Sequence, residues 1–249
     1  MNQCPRCHLD NPLGAAVCEA CGTRLASWGT QTMPAGGGSL RPKVTIRVVR
    51  ADGGPEATFT LRKDEVIAGT SAELLFMDDP FVARQQARIR YEGSELVVED
   101  IGGGSGVFTR VRAEKQLLIG QEMRCGRQRL LYEAIAPPPA ATPRIWGSAE
   151  DGTRGRLVQI LEGGLRGNAF PLRDGENLLG RENGDITFPG DGFVSGRHAI
   201  VAVRTEGVTL RDIGSSNGTF LRIDAPTTVT DGDQLLIGRH LLKLELASA

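Results

Sequence analysis

The sequence predicts an all-β protein: two β-sandwiches in tandem behind a small cysteine-rich unit. Three observations predict it. Apolar residues alternate over short stretches, as in Ala199–Val201–Val203, Val208–Leu210 and Leu242–Leu244, with Val158–Ile160 as a further pair. That period of two belongs to half-buried strands. Turn formers interrupt these stretches at short intervals: Gly163–Gly164, Asp174–Gly175, Asn183–Gly184, Ser216–Asn217–Gly218 and Asp231–Gly232. Finally, the chain repeats itself. VVEDIGGGSGVF aligns with TLRDIGSSNGTF, and DDPFVARQQARI with GDGFVSGRHAIV, both at an offset of 112, so that Phe108 faces Phe220. A register held over most of each half indicates duplication of one sandwich.

From the N-terminus, residues 1–25 carry four of the five cysteines. Residues 26–42 (ASWGTQTMPAGGGSLRP) read as a flexible linker rich in Gly, Pro and Ser. Residues 43–135 are the first sandwich. Residues 136–154, which begin APPPAATP, read as a semi-extended linker close to polyproline II. Residues 155–249 are the second sandwich. A net charge of −1 argues against a nucleic-acid coat or a polybasic membrane binder. No apolar run is long enough to span a bilayer, and the N-terminus shows no basic-then-apolar leader, so the expected compartment is cytoplasmic.

Binding residues of a sandwich collect on the loops at one end. In the second copy, the loop residues that are neither core nor ordinary turn are Gly180–Arg181, Ser195–Gly196–Arg197–His198 and Ser215–Ser216–Asn217–Gly218–Thr219. They supply guanidinium forks, hydroxyls, an amide and glycine-rich backbone. Such a set suits a phosphate dianion, whose three acceptor oxygens match a planar Arg fork and hydroxyl donors.

With LLGR, VSGRHA and DIGSSNGTF in this order, residues 155–246 resemble the forkhead-associated (FHA) family. The resemblance implies an eleven-stranded sandwich that binds phosphothreonine peptides. It implies that Arg181, Ser195 and Ser216 contact phosphate, that Asn217 holds the peptide backbone, and that Arg197 assists. It implies that Gly196, in the same loop, is also among the phosphopeptide-binding residues. Gly180, His198, Gly218 and Thr219 organise the loops, with His198 buried and not acting as a base. The expected partners are phosphothreonine-containing proteins, a Ser/Thr kinase or its substrates.

In the first copy, Thr70 faces Arg181, Ala83 faces Ser195, Gln86 faces His198 and Ser105 faces Asn217. The ligand-holding residue types are gone. Phe81, Ile101 and Phe108, opposite Phe193, Ile213 and Phe220, read as conserved core positions of the shared fold. The first sandwich is therefore expected to be a degenerate copy with a structural or docking role. Cys125 faces Ile237 on a strand and reads as a buried thiol.

Cys4, Cys7, Cys18 and Cys21 form two CxxC pairs, the spacing of one structural zinc held by four thiolates. This unit resembles the zinc ribbons of bacterial regulatory proteins. CPRCH also matches the haem c attachment pattern, which leaves the second pair unexplained. A closed four-thiolate shell has no open position for catalysis. Arg6 and Arg24 are offset by Asp10 and Glu19, so a nucleic-acid-binding ribbon ranks below a protein-docking one.

Without a nucleophile–base pair, a P-loop or a dinucleotide fingerprint, the expected function is binding, not catalysis. Two readings stand: a phosphothreonine-dependent adaptor, and a phospho-independent scaffold in a larger assembly. Thr30, Thr32 and Thr142 lie in the linkers, where a phosphorylated threonine could reach its own reader at high effective concentration.

Overall fold

The computed structural model describes residues 41–50, 56–76, 79–135, 146–148 and 152–247, with residues 2–3, 10–11 and 20 before them. The four ribbon cysteines and Thr30, Thr32 and Thr142 lie outside the described residues. Residues 1–40 and 41–249 are separate compact units. In the first, Asn2–Gln3 pairs antiparallel with Asp10–Asn11, Asn2 opposite Asn11.

Among the described residues the second unit is built of strands, with a single 3-10 turn at Glu162–Gly164. The first repeat supplies β1 (Lys43–Arg50), β2 (Ala57–Thr60), β3 (Glu65–Gly69), β4 (Leu74–Leu75) and β5 (Ala87–Glu92). It continues with β6 (Glu95–Asp100), β7 (Val107–Arg110), β8 (Lys115–Gln116), β9 (Glu122–Cys125) and β10 (Gln128–Ala134). The second supplies β11 (Thr153–Ile160), β12 (Arg166–Arg173), β13 (Gly175–Gly180), β14 (Ile186–Thr187) and β15 (Ala199–Arg204). It ends with β16 (Gly207–Asp212), β17 (Thr219–Arg222), β18 (Thr227–Val229), β19 (Gln234–Ile237) and β20 (His240–Ala247). Strand n of one repeat is thus the counterpart of strand n + 10 of the other.

The strands do not sort by repeat. A single ten-stranded sheet runs β12-β11-β10-β9-β17-β7-β19-β20-β1-β2. Two five-stranded sheets complete the fold, β8-β16-β15-β13-β14 and β18-β6-β5-β3-β4. One core is lined by Val44, Ile46, Ile89 and Val107 together with Leu235, Ile237, Leu242 and Leu244. The other joins Met123, Cys125, Leu130 and Tyr132 to Leu157, Leu179, Val201 and Leu210. Each repeat has given its last three strands to the other. One sandwich is therefore residues 41–110 plus 223–247, and the other is the continuous stretch 111–222.

At the centre β7 and β17 pair antiparallel, with Phe220 opposite Arg110, Leu221 opposite Thr109 and Arg222 opposite Phe108. Thr109 and Leu221 are repeat equivalents lying opposite each other, so a pseudo-twofold axis passes between them. Arg222 crosses this seam to Asp100 and pairs with Glu122 on its own side, at 3.2 Å each. Its counterpart Arg110 reaches Gln234 at 3.1 Å.

Three expectations are corrected. The divisions 43–135 and 155–249 follow the sequence repeat but do not bound the two cores. The expected linker 136–154 does not divide two bodies, for β10 and β11 pair directly within one sandwich, Ala134 opposite Gly155. In β11 Leu157 and Val158 are both buried, with Leu157 in the second core, which shifts the expected phase by one residue. Cys125 is fully buried, as its strand position predicted, and burial pushes its thiol well above the ordinary range.

Candidate functional site

In sandwich 111–222, the ends of β13 and β16 and the loop before β15 meet at one end. β13 closes at Gly180, where a side chain has no room: a Cβ would lie 2.2 Å from the Gly196 carbonyl oxygen and 2.3 Å from that of Asn183. This close approach lets the Arg181 N–H donate to the Ser195 carbonyl (2.9 Å) and the Asn183 N–H to that of Gly196 (3.3 Å). The third segment is tied on by the Ser216 N–H, which donates to Ser195 Oγ (3.1 Å), and by Asn217 Nδ2, which donates to the Phe193 carbonyl (2.8 Å). Gly218 takes a φ of +83°, the left-handed region that a glycine enters without strain.

Beneath these loops lies a buried frame. His198 is fully buried. Its Nδ1 accepts the Ser195 N–H (3.0 Å), and its Nε2 faces the Gly218 carbonyl at 3.2 Å. That pattern fixes the neutral tautomer with the proton on Nε2. Burial pushes the imidazole below its ordinary value, outweighing the Gly218 bond and the nearby Asp212 and Asp191 carboxylates. Asp212 accepts from the Gly214 and Ser215 N–H groups and from the Ser215 and Thr219 hydroxyls. Burial alone would raise its carboxyl, but those four bonds more than offset it and hold the group below the usual range. Ser215 Oγ in turn accepts the Gly218 N–H at 2.9 Å.

The groups left facing outward are those with which an anion can be held. Arg181 is partly exposed, its Nε on the exposed Glu182 carboxylate at 3.0 Å. Arg197, Ser216 and Asn217 are exposed, while Ser195 and Gly196 are half-buried. Ser195 Oγ accepts from Ser216, so its own hydroxyl proton remains available to a ligand. The structure thus brings Arg181, Ser195, Gly196, Ser216 and Asn217 together, with Gly180, His198, Gly218 and Thr219 behind them.

Sequence reasoning missed three residues. Asp212 organises the third loop, and the DIGSS run, an acidic residue before small hydroxyl residues, was the available signal. Phe193 is 41% exposed, not a core residue; its ring lies 4.6 Å beneath the Arg127 guanidinium. Arg127 comes from the first repeat, and only the exchange of strands brings it here.

The equivalent end of the other sandwich keeps the frame without the ligand groups. The Thr70 N–H donates to the Ala83 carbonyl at 3.0 Å, as Arg181 does to Ser195. Gln86 stands in for the histidine: its Oε1 accepts the Ala83 N–H (3.1 Å), and its Nε2 donates to the Gly103 carbonyl and to Asp100. Arg88 is committed to Glu65 and Glu99, while Arg84 is exposed.

The site is thus a polar, guanidinium-bearing loop cluster at one end of a β-sandwich, stiffened from below by a neutral histidine. Residues 177–238 match the family profile of the FHA domain. The chain is 31% identical over 116 residues to the oxoglutarate dehydrogenase inhibitor of Corynebacterium glutamicum, covering 45% of this chain and 76% of that protein. It is 28% identical over 128 residues to the FHA domain-containing protein FhaB of Mycobacterium tuberculosis, covering 47% and 83%. Among solved structures, the FHA domain of the CT664 protein from Chlamydia trachomatis aligns over 82% of this chain and 96% of that one. Its identity is 12% and its TM-score 0.34. The chain belongs to the FHA domain family. The matched stretch 177–238 runs from one sandwich into the other, crossing between them at residues 222–223.

Proposed function

We propose that this protein is a phosphothreonine-peptide-binding adaptor in Ser/Thr kinase signalling, with the loop cluster of sandwich 111–222 as its reader. The observation that carries the reading is the convergence of Arg181, Ser195, Ser216 and Asn217 on one end, over a rigid buried frame. Arg181 exchanges an exposed, weak pairing with Glu182 for charge-assisted bonds to a phosphate. The Ser195 hydroxyl donates to a second phosphate oxygen and Ser216 to a third. The Asn217 side-chain carbonyl accepts a peptide N–H beside the phosphothreonine. Both ring nitrogens of His198 are engaged with the backbone, which leaves it no base to offer and supports binding without catalysis. A phospho-independent scaffold is the second reading, favoured by the other sandwich, where Thr70, Ala83 and Gln86 keep the frame without the ligand groups.

Binding of the wild type and Arg181→Ala to phosphothreonine, phosphoserine and unphosphorylated peptide libraries tests this. The expected result is phosphothreonine-selective binding that weakens at least tenfold in the variant, since a hydrogen bond to a charged group contributes about 1.5–3 kcal/mol. Binding indifferent to phosphate would leave the scaffold reading.

A further inference from the structure

The exchange of strands puts a piece of the first repeat against the reader of the second. The turn between β9 and β10, Gly126–Arg127, packs on the loop that carries Phe193, and a Cβ on Gly126 would lie 2.8 Å from the Val194 side chain. One buried carboxylate locks the two together. Asp191 Oδ2 accepts the Arg127 N–H and Gln128 Nε2, both at 2.8 Å, while its Oδ1 accepts the Phe193 N–H at 3.0 Å. With its oxygens so committed inward, Asp191 does not neutralise the exposed Arg127 guanidinium, which lies over the Phe193 ring. Among the described residues Arg127 makes no ion pair. The Phe193 carbonyl is in turn the acceptor of Asn217 Nδ2. The Arg127–Phe193 pair is therefore contiguous with the residue that anchors the ligand backbone. A peptide advances about 3.3 Å per residue when extended, so a side chain within a few positions of the anchor reaches it.

We propose that Arg127 and Phe193 form the selectivity surface of the reader, choosing ligands with a carboxylate side chain close to the phosphothreonine. The proposal rests on the phosphothreonine reading above and adds to it a residue of the other repeat. The guanidinium faces an incoming acidic side chain from a fixed position over the ring, while the ring offers apolar contact to its methylenes. A basic side chain at the same place meets an unneutralised cation. In the other sandwich the equivalent pair is Arg239 over Phe81, at 5.7 Å. Had each repeat closed on itself, Arg239 would occupy the place beside Phe193. The two arginines thus make an internal control.

The experiment uses the full chain and an array of phosphothreonine peptides with acidic, neutral or basic residues at each flanking position, plus unphosphorylated copies. Wild type is expected to prefer acidic flanks. Arg127→Glu is expected to keep its phosphate dependence and shift the acidic-to-basic ratio by about tenfold, because a flanking attraction becomes a repulsion. Arg239→Glu is expected to leave the profile unchanged. Arg127 holds Asp191 through its backbone, so the variant keeps that lock; a thermal melt matching wild type confirms it. Phosphate-dependent binding with an unaltered profile in Arg127→Glu overturns the proposal alone, as does a shift produced by Arg239→Glu in its place. Absence of phosphate dependence in wild type overturns the underlying reading and the proposal with it.

Discussion

His198 accepts one backbone N–H and donates to one backbone carbonyl, and Gln86 does comparable work in the other sandwich with an amide. Replacing His198 by alanine strands the Ser195 N–H and the Gly218 carbonyl at a cost of about 2–4 kcal/mol, while His198→Gln should stay within about 1 kcal/mol of wild type. The two also differ with pH. The folded-state imidazole titrates below its ordinary value of 6.5, so in between the unfolded chain binds the extra proton. Stability is then full above pH 6.5 and falls as pH drops from 6.5 toward the folded value. Urea unfolding of wild type and His198→Gln between pH 7.5 and 5 should show wild type losing more stability over that window. Parallel curves would mean that His198 is not held neutral in the fold. At this scale the outward-facing residues of the loop cluster were legible, because an exposed Arg, Ser or Asn among glycines serves no packing need. Asp212 and Phe193 were not. An Asp reads as turn chemistry and a Phe as core until their neighbours in space are known.

Secondary elements were read with uneven success, and the reasons lie in what each signal measures. Alternation found β15, β16 and β20, where Val201, Leu210 and Leu242 sit in the cores. It slipped in β11, because Leu157 and Val158 are both apolar and both buried, and the register with β12 shifts between Val158 and Ile160. A bulged, two-sided strand carries no clean period. The proline-rich stretch after Ala134 reads as a spacer in composition, yet composition reports stiffness and not where the ends lie. The cysteine unit remains a matter of spacing. Asn2–Gln3 pairs antiparallel with Asp10–Asn11, and Cys4 and Cys7 lie between the two in sequence. A ladder of two residues per strand is not stable by itself in water. Four thiolates closing on zinc would hold it, with metal binding supplying the folding free energy. Elemental analysis of protein purified without chelator should find one zinc per chain, lost in a Cys18→Ser, Cys21→Ser variant. Metal-free protein with four titratable thiols would remove zinc from the description.

The duplication was plain in the sequence, but which half of each repeat completes which sandwich was not. The exchanged strands are chemically equivalent where they face inward: Met123 and Leu235, Cys125 and Ile237, Leu130 and Leu242, and Tyr132 and Leu244 all lie buried in counterpart positions. Either set could fill either core, so hydrophobic pattern gives no preference, and the choice passes to the four-residue connections 111–114 and 223–226. The consequence is mechanical. Two sandwiches joined by one continuous sheet cannot swing on a linker, so a ligand bound at the loop cluster of sandwich 111–222 would be felt by strands of both repeats. Cross-strand geometry makes the exchange testable. Glu245 lies opposite Thr45 in β20 and β1, whereas its counterpart across a repeat closed on itself would be Arg156. Directly opposed residues in antiparallel strands have Cα atoms about 4.5–5.5 Å apart, within the range a disulfide spans. Thr45→Cys with Glu245→Cys should therefore oxidise to an intrachain disulfide in the monomer, detected by peptide mapping, and Arg156→Cys with Glu245→Cys should not. The reverse pattern would mean that each repeat folds on itself, and it would move Arg239, not Arg127, to the side of Phe193.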